Sequence, residues 1–155
     1  MPYLITGLDP APYVPLFGAD DAALGGCHAH RMIADSDTGF PCRVTLADAP
    51  KGARLLLLNH LSRTDDGPYR ASHAIFVRED ASEAAVYEAQ VPPLMQRRVL
   101  SLRGFDGDGM MVDALLAQPG EADAGLRNLL DNPTIREVDV HTATRGCFLA
   151  RARRA

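Results

Sequence analysis

The residues best suited to chemistry gather in the stretch PYRASHAIFVR, residues 68–78. Tyr69, Arg70, Ser72 and His73 form a polar cluster that runs straight into the apolar Ala74, Ile75, Phe76 and Val77, and Arg78 closes the run. A guanidinium, a phenol and a hydroxyl at the mouth of a core strand can together grip a carboxylate or phosphate, whose geometry the arginine fork matches. Arg43 and Arg103 sit in similar places, inside CRVTLA and VLSLRGFD. A buried guanidinium without a partner is very costly, so each must meet a carboxylate, a carbonyl or a ligand anion. Two outcomes are open. Either Arg43, Arg70, Arg78 and Arg103 converge with Tyr69 and Ser72 on a small anionic ligand, or they pair internally with Asp48, Glu79, Asp106 and Asp113. The second outcome describes a structural or interaction module, expected to be a homodimer.

An enzyme is a third option. Cys147 follows Gly146 at the start of an expected strand, and His141 with Asp139 could activate its thiol. No local signature of a known cysteine hydrolase surrounds Cys147. Cys42 stands in phase with Val44 and Leu46 and is expected to point into the core as a small hydrophobe. His28 and His30 would share a strand face, a geometry that can chelate with His60, His73 or His141 as a third ligand. No carboxylate stands at fixed spacing from them, so no metal is expected. The DGDG at 106–109 lacks the other ligands of a calcium loop and reads as a hairpin turn. Phosphate loops and dinucleotide fingerprints are absent, and no cofactor is expected.

The formal net charge is -4 and the pI about 5.7. General binding to nucleic acid or to an anionic membrane is therefore not expected, because both need a basic surface. Fifteen arginines stand against the single Lys51, a bias that a GC-rich genome accounts for unless some of them act as clamps. Three cysteines with no close pair, no signal-peptide pattern and no long apolar run lead to the expectation of a cytoplasmic protein with free thiols.

The elements that must position these residues make an α+β fold. A chain of 155 residues fits one domain, expected over residues 1–155, and such a domain buries roughly 68–70% of its unfolded surface. Strands are expected at 3–8, 27–34, 42–47, 53–61, 73–78, 99–106, 110–113, 135–141 and 147–151. The strand at 42–47 would form a hairpin with 53–61, whose run Leu55, Leu56, Leu57, Leu58 suits a central strand covered on both faces. Helices are expected at 81–89 and 119–131, with shorter turns at 21–24 and 94–97. The terminal RARR is expected to fray. The result is a single domain with a mostly antiparallel sheet, curved or folded around itself, and about two packed helices.

Four blocks follow in order along the chain: PCRVTLADAPKG and LLLLNH within 41–60, PYRASHAIFVRE at 68–79, SLRGFDGDGMMVDA at 101–114 and HTATRGCFLAR at 141–151. In these blocks the chain resembles the DUF1203 family of bacterial proteins. The opening ITGLDP is similar to the family's first strand. The resemblance implies a single-domain protein and supplies no substrate, reaction or cofactor. It marks the same polar positions: Arg43, Tyr69, Arg70, Ser72, Arg78, Arg103, His141 and Cys147.

Overall fold

Alternating side chains sort the strands of this protein into an apolar layer and a charged one. A computed structural model describes residues 2–155. The strands are β1 (Tyr3–Thr6), β2 (His30–Ile33), β3 (Arg54–Arg63), β4 (Ala71–Arg78), β5 (Val86–Glu88), β6 (Leu100–Phe105), β7 (Met111–Ala117), β8 (Glu137–Thr142) and β9 (Phe148–Arg154). The helices are α1 (Asp21–Gly26), α2 (Pro93–Gln96) and α3 (Ala122–Asp131). The expected α+β class holds, and every pairing between these strands is antiparallel. The strands form two sheets, a six-stranded one ordered β5-β1-β9-β8-β6-β7 and a three-stranded one ordered β2-β3-β4.

In the large sheet, Leu100 and Leu102 of β6, Val138 and Val140 of β8, and Ala150 and Ala152 of β9 pack beneath α3. Leu126, Leu129 and Leu130 supply the helix side of that core. The period of two sends the intervening residues to the opposite face. There the register sets Ser101 beside His141, Arg103 beside Asp139, and Asp139 beside Arg151. This charged face looks toward the small sheet.

The small sheet answers with a graded face. Leu56, Leu58, Ile75 and Val77 bury against Tyr13, Leu24, Cys42 and Val44. Further along the same face come His60 and His73, paired in register, and then Arg63, delivered by a bulge between Leu61 and Arg63. His60 and His141 both pack on Phe148, with ring centroids 5.7 and 5.8 Å away, and the Arg63 guanidinium lies 3.7 Å from the Phe105 centroid.

Several expected elements differ. Residues 42–47 are not a hairpin strand. Cys42 and Phe76 form an isolated parallel bridge, Leu46 N–H donates back to the Cys42 carbonyl, and Leu46 takes a φ of 52°. The alternation misled because the segment is buried on every side: Cys42, Val44 and Leu46 have no exposure, and Arg43 has almost none. It is a plug between the two cores. Residues 81–89 are not helical either. Their Ala- and Glu-rich composition favours a helix, but Ala85 hydrogen-bonds to Val44 and Gly7, and Val86–Glu88 adds an edge strand to β1. Leu57 is only half-buried, so the central strand β3 is not covered on both faces. The RARR tail does not fray. Arg154 donates to the carbonyl of Leu130 in the last turn of α3, where orphaned helix carbonyls need donors, and to those of Asn132 and Ile135 beyond it.

Gly7 is where β1 meets the plug. A Cβ there would lie 2.0 Å from the Val44 carbonyl oxygen, which is held by a hydrogen bond from Ala85. Gly7→Ala is therefore expected to destabilise the fold by about 1–3 kcal/mol, the usual cost of overpacking. Urea unfolding measures it, and an unchanged midpoint would show that the plug is free to shift.

Candidate functional site

Asp139 joins the two sheets. Its carboxylate, fully buried, accepts from Arg151 of the neighbouring strand at 2.6 and 3.1 Å and from Arg63 of the small sheet at 3.0 Å. Arg63 also donates to Glu137 and to Asp65, each at 3.1 Å. Burying such charges is tolerable only with this degree of pairing.

Beside this tie is a cleft of about 200 Å³, with Arg63, Tyr69, Arg70, His73, Arg103 and His141 among its lining residues and no carboxylate. Arg103 donates through Nε to Ser101 Oγ at 3.1 Å. Among the described residues it is the only arginine away from full exposure that meets neither a carboxylate nor a carbonyl. His141 lies 2.9 Å through Nδ1 from the Gly146 carbonyl. A carbonyl can only accept, so Nδ1 carries the proton and Nε2 is the bare nitrogen of a neutral ring. Burial pushes His141 down to about 4, aided by the charges of Arg103 and His73, even though the Gly146 bond opposes the shift. His73 packs edge-on to it, centroids 5.0 Å apart, and is also lowered, first by burial and then by Arg103. His73 Nε2 and Arg63 Nε are buried without a hydrogen-bond partner. Tyr69 packs edge-on to Phe105, and Arg70 at the rim donates to the Thr64 carbonyl at 2.7 Å.

Tyr69, Arg70, Arg103 and His141 are thus brought together. The remaining predicted positions lie elsewhere, so the four arginines do not share one cleft. Ser72 points away and accepts from Asn59 at 3.3 Å. Arg78 is half-buried, paired with Asp80 at 2.7 Å while its Nε is buried without a hydrogen-bond partner. Near it, Glu79 is held at about 2, chiefly by the hydrogen bonds from Arg31. Arg43 and Cys147 line a second cavity. The carboxylates expected to neutralise these arginines have other partners: Asp48 takes Arg97 and Arg98, and Glu79 takes Arg31 and Arg54. Asp106 caps the 106–109 turn, and Asp113 accepts from the Ala114 N–H. Cys147 and His141 form no hydrogen bond with each other, and the thiol's polar contact is the Arg145 carbonyl at 3.9 Å. Cys42 is fully buried, as its phase with Val44 indicated. His28 precedes β2 with a φ of 54°, so it does not share a strand face with His30. Among the described residues no three His, Cys, Asp or Glu side chains cluster as metal ligands.

Arg63, Asp139 as a structural anchor, and Arg151 are the residues that sequence reasoning missed. Arg63 falls where β3 is expected to have ended. For Asp139 a signal existed: EVDVH alternates charge with valine, the pattern of a strand whose second face meets polar partners.

Fold and site define a small antiparallel α+β protein with an arginine- and histidine-lined cleft between two sheets. The chain belongs to the DUF1203 family, described as a protein of unknown function, whose model matches residues 39–154. The ITGLDP segment lies outside that span. No curated protein and no solved structure matches the chain. Among the described residues no helix is long and apolar enough to cross a membrane.

Replacing Asp139 by Asn leaves Glu137 as the one carboxylate, among the described residues, that Arg63 and Arg151 still share. Asp139→Asn is expected to cost about 3–5 kcal/mol in urea unfolding, as for other broken buried pairs. A loss below about 1 kcal/mol, the value for a surface pair, would show that the tie is not what joins the sheets.

Proposed function

We propose that this is a cytoplasmic bacterial protein that binds a small oxyanion, a phosphate-like or short carboxylate ligand, in the cleft between its sheets. The observation that carries this is Arg103, a half-buried guanidinium with a single hydroxyl partner in a cavity lined by no acid. Most other arginines here are neutralised by carboxylates or spent on carbonyls, so internal pairing accounts for them but not for Arg103. A half-buried cation gains most from an anion of the same reach, through charge-assisted hydrogen bonds.

The neighbours have distinct parts in this scheme. Arg70 and Tyr69 stand at the rim and supply further donors. Arg63 is held in place by Asp139, and its unused Nε adds a buried donor. The rings of His73 and His141, neutral at pH 7, accept from a ligand hydroxyl or take up a proton when an anion arrives. The volume suits a sulfate-, phosphate- or oxalate-sized guest, since cavities for larger ligands run from about 300 Å³ upward. Three free cysteines are in keeping with a reducing compartment.

Sulfate makes a clean probe because it does not titrate near neutral pH. In the free protein His73 and His141 are held below their ordinary range by burial and by Arg103. A bound anion offsets the Arg103 charge and raises both, so binding draws in protons and must tighten as pH falls. Calorimetric titration is therefore expected to show sulfate affinity rising from pH 8 to pH 5, and Arg103→Gln weakening it by about tenfold or more. Affinity that falls on acidification, or that ignores Arg103→Gln, contradicts the assignment.

A further inference from the structure

A second cavity, of about 630 Å³, lies apart from the cleft and shares none of its lining residues. One wall is cationic. Arg43 is 3% exposed, and its Nε and one terminal nitrogen donate to the carbonyls of Phe148 at 2.8 Å and Pro41 at 2.6 Å. Its other terminal nitrogen has no protein partner, and among the described residues no carboxylate pairs with it. Burial, with the nearby charge of Arg98 adding to it, lowers Arg43 to about 10, although Cys147, Cys42 and Asp48 oppose the shift. Arg97, Arg98 and Arg145 add to this wall, and among the described residues the only acid bonded to any of them is Asp48, shared by Arg97 and Arg98.

Another part of the lining is hydrocarbon. Leu57 and Phe76 are register partners on the face of the small sheet turned away from the cleft, and Met32 and Ala74 extend that surface. Met32 is 37% exposed and Leu57 and Phe76 half-buried, so the wall is open to a guest. A volume in the ~300–1,000 Å³ range of small-molecule sites, with both apolar and cationic lining, selects for an amphipathic anion.

We infer that this cavity binds a monocarboxylate with an apolar body, its head toward Arg43 and Arg145 and its hydrocarbon along Leu57, Phe76 and Met32. Inorganic oxyanions lack the body and alcohols lack the charge, so neither satisfies both walls. The site is independent of the sulfate-sized cleft, and the two respond to different probes.

Decanoate is the test ligand, with decanol and sulfate as controls, followed by amide chemical shifts on the full chain. Decanoate is expected to bind saturably, shifting Leu57, Ala74, Phe76 and Thr144 while leaving His73 and Arg103 still. Decanol should bind about tenfold more weakly or worse, because it forgoes the charge-assisted bonds. Arg43→Gln should produce a similar loss. Because removing a buried arginine can unfold the chain, the exposed Arg145→Ala serves as the second variant, and it should weaken decanoate severalfold without moving the thermal midpoint. No saturation by roughly 5 mM decanoate, equal binding of decanol, no effect of Arg145→Ala, or shifts confined to His73 and Arg103 would each overturn the inference.

Discussion

The buried carboxylate of Asp139 is the constraint on which the architecture depends. A charge with no exposure must be neutralised in place, and it draws Arg151 from the adjacent strand and Arg63 from the other sheet. The small sheet is thereby docked at a fixed angle and distance over the charged face of the large one. That docking explains why an apolar core covers only part of the interface. Leucine and valine fill one end, and ions, imidazoles and two phenylalanines fill the other.

The same constraint creates the cleft. Once Arg63 is committed to Asp139, Arg103 one strand over has no acid left to meet, although it is register partner to Asp139 itself. Burial, with that unmatched charge adding to it, keeps the neighbouring histidines neutral at pH 7. A surplus of positive potential, held in a half-buried cleft by a network built for structure, is how an anion site arises without dedicated machinery. Arg43 repeats the theme on the other side of the fold, where carbonyls hold the guanidinium but do not neutralise it.

Much of this was legible in the residues. The α+β class, β1, β3, β4, β6, β8 and α3 follow from alternation and helical period, and the stretch at 68–78 does lead into the cleft through Tyr69, Arg70 and His73. What could not be read was three-dimensional. CRVTLA alternates like a strand, but period two records only that its side chains are buried, and here both faces and the backbone are enclosed by separate cores. The helix expected at 81–89 loses to an open edge on β1, a tertiary demand that local propensity does not see. Which arginines converge depends on register and on one bulge, so Arg103 and Arg70 could not be separated from Arg43 and Arg78 by spacing. Arg63 was hidden by that bulge, because a strand end and a loop start look alike in sequence.

The central claim is that the cleft holds an anion among Arg103, His73 and His141. Imidazole nitrogen resonances of the intact protein, recorded as sulfate is added at fixed pH, address it most directly. Saturable shifts of Nε2 in both His73 and His141, with the exposed His28 and His30 unmoved, are the predicted result. Ring nitrogens of His73 and His141 that stay constant while sulfate saturates elsewhere, or fails to saturate at all, would contradict it.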